Sequence, residues 1–450
     1  MSLSRWKVGC IAATVGLFSA AQAQAGPMIE FGEDGGYVQI DVKGQVYVEN
    51  TDYGAGSDYG KSRTDIHFQR LRLGVTGMLD ETYGFKFQTC GNIGTTKNPL
   101  GYALTAQDVD WNDRDIRIID GYGIANYRPE LNFKVGLTKI PLTRANLDDC
   151  FAPLSLDRSM FAYSAYGSSP AKFSRDIGAV AWGGFMDDKL KYYAGIFQGR
   201  EGQTNVVNPI TGVAQKSTTD PESNFEYVGR IHYSFLDSEP GSGYLGTYFG
   251  EKKVLTLGAG VAYEADVAYK NVSGTGVVQN DETVDYLAYA ADLMFEYPTP
   301  AGVITTTVQY LKTDFDDAYA TNLWGGDRLA SIAGMNGQKE GGFGKIAYML
   351  PFTIGESGKL QPYALFEKWH FAHLLGRDDQ GIKQFGGGIN YYIKGQNVRL
   401  TLEYLRTDFD KTTLLPVGIG TGPGINNGAP NPSTFINSFD TVRMMLQFVI

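Results

Sequence analysis

The chain has 450 residues, with 57 Gly, 28 Tyr and 25 Phe, and only 20% of its residues are charged. Its formal net charge is -10 and no apolar run approaches the ~20 residues of an α-helical span, which excludes a strongly basic nucleic-acid binder and a helical membrane protein. The abundance of aromatics argues against disorder.

Residues 1–23 have the features of a cleaved secretory signal. Arg5 and Lys7 open it, Val8 to Ala21 form a short apolar stretch, and Ala21-Gln22-Ala23 offers a small-x-small cleavage site, with cleavage after 25 as the alternative. Removing this segment takes away two cations and leaves a mature net charge of -12 on residues 24–450, which form a single domain. Cys90 and Cys150 then remain in an oxidising compartment where pairing is permitted, and the sequence leaves their pairing open.

From residue 36 onward the chain settles into period 2. Val38, Ile40, Val42, Val46 and Val48 alternate with polar neighbours, and so do Leu71, Leu73 and Val75, and then Tyr83, Phe85 and Phe87. Further alternating segments are predicted near 116–127, 131–139, 175–185, 189–198, 224–236, 253–265, 284–297 and 302–312. The last five lie near 341–351, 359–370, 382–394, 397–406 and 439–450, for a total of sixteen.

Short links such as Asp80-Glu81, Arg128-Pro129-Glu130, Asp187-Asp188 and Gly395-Gln396 recur at every second junction, and loops of about 10 to 35 residues separate them. One link breaks the rule: Asp237 to Lys252 is long for its side of the molecule. Tyrosines such as Tyr83, Tyr127, Tyr227, Tyr263, Tyr297, Tyr310 and Tyr404 sit near strand ends, where interfacial girdles lie. The final strand carries Val442, Met444, Leu446, Phe448 and Ile450 on one face. One apolar and one polar face per strand suit lipid outside and water inside, and closure removes the sheet edges. The fold class is therefore all-β: a transmembrane antiparallel β-barrel of about 16 strands with long extracellular loops.

Between residues 68 and 197 the sequence resembles the phosphate-selective porin O and P family. The resemblance is carried by Arg70-Leu71-Arg72-Leu73-Gly74-Val75, Gly84-Phe85-Lys86-Phe87, the run Asp120 to Tyr127, the strand Leu131 to Leu142, Asp157-Arg158-Ser159-Met160-Phe161 and Ser174-Arg175-Asp176-Ile177-Gly178. It implies a sixteen-stranded, usually trimeric outer-membrane porin whose third loop, here 140–174, folds into the lumen as a constriction.

On the second to fifth strands, seven basic residues face a single acid, Asp120. Arg70, Arg72, Lys86 and Lys134 occupy the polar phase of their strands and are the candidate anion-facing wall, with Arg144 and Arg158 as contributions from the loop. The loop also carries Asp148, Asp149 and Asp157, so a basic wall opposite an acidic loop is expected. His370-x-x-His373 lies on opposite strand faces and makes no metal site. No catalytic motif, cofactor signature or metal set is present in the sequence. The expected function is a passive channel for small hydrophilic solutes in the outer membrane of a Gram-negative bacterium, leaning to anions such as phosphate. Its expected surroundings are outer-membrane lipid and lipopolysaccharide, with no nucleic-acid partner and, as the resemblance implies, two further copies of itself. The alternatives are a non-selective or cation-preferring general porin, and a structural barrel that sheathes or scaffolds a partner protein.

Overall fold

The computed structural model describes residues 26–55, 61–94, 116–159, 161–162, 174–199, 206–207, 214–215, 224–269, 282–315, 338–374, 377–414 and 435–450. The expected signal segment, and residues 160 and 163–173 of the third loop, lie outside these.

Sixteen long strands form the wall. In chain order they are β1 (Gly36–Ala55), β2 (Lys61–Met78), β3 (Tyr83–Gly94), β4 (Ile116–Arg128), β5 (Leu131–Lys139), β6 (Arg175–Phe185), β7 (Leu190–Phe197) and β8 (Glu226–Ser234). The second half comprises β9 (Val254–Tyr269), β10 (Thr283–Thr299), β11 (Gly302–Asp314), β12 (Lys339–Met349), β13 (Gly358–Leu374), β14 (Arg377–Lys394), β15 (Val398–Leu414) and β16 (Phe435–Val449). Each strand pairs antiparallel with its neighbour in sequence, and β1 closes on β16 from Lys43↔Val449 to Thr51↔Thr441. Every alternating segment expected from the sequence is one of these strands.

The alternation has a direct physical reading. Along β10, Tyr286, Ala288 and Ala290 are buried inward while Leu287 and Tyr289 are exposed outward. On the closing strand Val442, Met444, Leu446 and Ile450 face outward, and Thr441, Met445, Gln447 and Val449 face inward. An apolar exterior that water would penalise is stable only against lipid, and closure pairs the first strand with the last instead of leaving two bare edges. Exposed tyrosines gather at both rims: Tyr83, Tyr127 and Tyr297 near the short turns, and Tyr227, Tyr263, Tyr310 and Tyr404 towards the other end.

Two small additions lie at the short-turn end. Met28–Phe31 hairpins onto the start of β1, with Met28 opposite Gln39, and Thr353–Ile354 pairs with the start of β13. Neither is long enough to show a period in the sequence.

The core of the molecule lies within the lumen. After β5 the chain turns inward through a short helix, α1 (Arg144–Leu147), whose first turn is capped by Thr143 Oγ1 accepting from the Asn146 N–H at 3.0 Å. Ile140, Leu142, Phe151, Leu154, Leu156 and Phe161 of this third loop are all almost wholly buried inside the barrel.

Candidate pore and its constriction

The third loop is fastened to the wall formed by β11 to β16. Lys345 Nζ lies 2.7 Å from Ser155 Oγ, Arg399 Nη1 donates to the Pro153 carbonyl at 2.9 Å, and Asn390 Nδ2 donates to the Leu154 carbonyl at 2.8 Å. Gln447 Nε2 donates to the Phe151 carbonyl at 2.7 Å, and Lys339 Nζ donates to the Phe161 carbonyl at 2.9 Å. Inward polar side chains thus satisfy loop carbonyls that would otherwise be stranded at membrane depth.

What remains open lies against the opposite wall. A cavity of about 470 Å³ is bounded by β1 to β7 on one side and by the third loop and residues 241–245 on the other. Its charged lining comprises Lys43, Arg72, Lys86, Lys134, Lys139 and Arg175 against Asp41, Asp120 and Asp149. Arg175 Nε pairs with Asp120 at 2.9 Å and Lys43 with Asp41 at 3.4 Å. Lys139 Nζ donates to the loop carbonyls of Leu147 and Asp148 at 3.3 and 2.7 Å, so three further cations, Arg72, Lys86 and Lys134, face one further carboxylate, Asp149.

Three of the six candidate basic residues line this cavity. Arg72 donates to Gln88 Oε1 at 3.4 Å and lies 5.3 Å from the centre of the Phe151 ring. Lys86 lies on the same wall. Lys134 reaches across the opening: its Nζ is 2.5 Å from Ser242 Oγ and 5.5 Å and 5.8 Å from the ring centres of Tyr122 and Trp182.

The other three are engaged elsewhere. Arg70 points inward as its strand phase requires, yet its Nη2 donates to both carboxylate oxygens of Asp157 at 3.0 and 2.8 Å and its Nη1 donates to Gln45 at 2.8 Å. Arg144 is 2% exposed and forks onto Glu239 at 2.5 and 2.9 Å. Arg158 donates to the carbonyls of Ala145 and Asp148 within the loop itself. These three hold the constriction in place rather than face its opening.

The loop acids divide in the same way. Burial alone would raise the Asp157 carboxyl, but Arg70 holds it below the usual carboxylate range. Burial pushes Asp148 up despite Arg144 and Arg158 nearby. Only Asp149 faces the cavity; burial would raise it, but Lys43, the Phe151 N–H, Lys139 and Arg72 together keep it well below its ordinary value. The expected acidic loop face is therefore one carboxylate rather than three, which weakens any transverse field.

No disulfide joins Cys90 and Cys150. Cys150 is buried, which would raise its pKa, but Arg72 and Arg158 pull it below its ordinary value.

Sequence reasoning did not single out Lys43, Arg175 or Glu239. Lys43 stands in the polar phase of β1 and Arg175 opens β6, so extending the charge survey beyond the second to fifth strands finds both. For Glu239 the only signal is the length of the link that carries it.

No family model matches the chain, and no curated protein matches it. Among solved structures it is similar to an anion-selective porin from Comamonas acidovorans, at 12% identity and a TM-score of 0.52, over 92% of this chain and 100% of that one. It is also similar to the outer-membrane channel DcaP of Acinetobacter baumannii, at 12% identity and a TM-score of 0.50, over 93% and 99% of the two chains. The chain has the sixteen-stranded β-barrel fold of the porins. In that fold short turns face the periplasm and long loops face outward, so the constriction loop enters from the extracellular side.

Proposed function

We propose that the protein is a passive diffusion channel for small hydrophilic solutes that prefers anions, phosphate among them. The observation that carries this is the lining of the lumen cavity, with six cations and three carboxylates in a chain whose net charge is -10. A narrow, low-dielectric passage focuses that local excess, so the sign of the lining outweighs the sign of the whole molecule. An entering anion exchanges part of its hydration for Arg72, Lys86 and Lys134, each on the open wall and none forming a carboxylate fork that would cancel it. The resemblance of residues 68–197 to the phosphate-selective porins, and the anion selectivity of the Comamonas acidovorans neighbour, agree with this sign. A homotrimer is part of the same proposal, and it rests on that resemblance.

The sheath alternative is disfavoured by the inward-folded third loop, because a lumen filled by Ile140 to Phe161 has no room for a partner protein. Replacing Arg72, Lys86 and Lys134 together by glutamine is expected to move the reversal potential under a salt gradient toward cation preference, with the permeability ratio changing about tenfold. Unchanged selectivity in the folded triple variant overturns the assignment.

A further inference from the structure

The link between β8 and β9, residues 235–253, is the exception at the periplasmic end, where every other link between wall strands has two to eight residues. It folds up into the barrel instead of hanging below it: Glu239, Tyr244, Thr247 and Tyr248 are all at most 2% exposed. Its backbone joins the third loop directly. Asp149 N–H donates to the Tyr244 carbonyl at 3.0 Å, and Gly246 N–H donates to the Ala152 carbonyl at 2.8 Å. The Arg144–Glu239 fork locks the two segments together, and Tyr248 Oη donates to Glu239 at 2.8 Å. From the wall, Glu296 accepts from the Tyr248 and Gly250 N–H groups, and Lys191 donates to the Gly241 carbonyl at 2.7 Å.

The tip of this turn stands at the throat. Below the lumen cavity lies a periplasmic vestibule of about 1660 Å³. The two spaces share Tyr37, Gln39, Met78 and Asn126 on the barrel wall and Gly241 and Gly243 on the turn. Between those glycines sits Ser242, whose hydroxyl meets the Lys134 ammonium from the opposite wall at 2.5 Å. Gly241 has a φ of 73°, which a side chain would strain, so the tip is built from small residues where the two spaces meet.

We infer that this periplasmic turn is a second constriction element of the pore and that Ser242 determines which solutes pass Lys134. It rests on the channel reading above but not on the sign of its selectivity. A solute leaving the lumen cavity must part the Ser242–Lys134 hydrogen bond. An anion replaces that bond with its own contact to the ammonium; a neutral solute replaces it less well, and a cation not at all.

The test uses the full-length mature protein in planar bilayers. Ser242→Glu is expected to move the permeability ratio toward cations and Ser242→Arg toward anions, each by about threefold or more relative to the parent. Ser242→Ala is expected to raise the flux of a neutral sugar into proteoliposomes by about two- to tenfold, as the bar across the throat is lost. Opposite shifts from Glu and Arg support the inference whatever the sign of the parent channel, so its failure is separate from failure of the anion preference. If folded Glu and Arg variants leave the reversal potential at the parent value, the turn tip is not at the throat and the inference is overturned.

Discussion

The Arg144–Glu239 pair shows how far the chemistry of a residue depends on partners remote in sequence. Both groups are desolvated, with side chains 2% and 0% exposed, so removing one leaves the other as an uncompensated buried charge. Burial by itself would raise the Glu239 carboxyl, yet Arg144 overrides this and holds it at about 2. A carboxyl depressed from its ordinary 4.5 contributes stability that is present above that value and is lost as pH falls towards 2. Glu239→Gln is expected to destabilise the folded protein by ~3–5 kcal/mol in denaturant titrations at neutral pH. The parent should keep steady single-channel currents from neutral pH to about 4.5 and become noisy only below that. Steady currents from Glu239→Gln with parental stability would contradict the role of the pair. The inward aim of Arg70, Arg72, Lys86 and Lys134 was legible from strand phase alone. That Arg70 spends its charge on Asp157 was not, because alternation specifies a face and says nothing about what a loop 87 residues away brings to it.

At the scale of elements, the sixteen strands were legible because lipid and water on opposite faces impose a strict period, and each segment repeats that test independently. The inward path of the 235–253 link was visible only as an anomalous length. Its destination depends on contacts with Arg144, Asp149, Ala152 and Leu154, and no periodicity encodes those. Gly246 marks how close the two segments come: a Cβ there would stand 2.2 Å from the Leu154 backbone nitrogen. Backbone atoms on both sides leave no side chain able to move aside. Gly246→Val is therefore expected to detach the turn from the loop and raise single-channel conductance about twofold while the barrel stays folded, because strand pairing does not pass through this contact. Parental conductance in that variant, with native far-ultraviolet circular dichroism, would show that the contact does not set the opening.

For the whole molecule, charge is distributed by compartment. The chain is acidic overall, and the apolar exterior carries Leu257, Val308, Ile346 and Phe366 to lipid, while the open side of the lumen is basic. The third loop and the periplasmic turn fill the other side, so the open space is confined to a slot between them and β1 to β7. Composition could not disclose this asymmetry, since it averages over faces that lie in different solvents. The most direct measurement is the reversal potential of the purified mature protein in a planar bilayer under a potassium chloride gradient. A potential displaced towards the chloride equilibrium value is predicted, from the excess of Arg72, Lys86 and Lys134 over Asp149 in the open slot. A potential at zero, or displaced towards the potassium value, would contradict it.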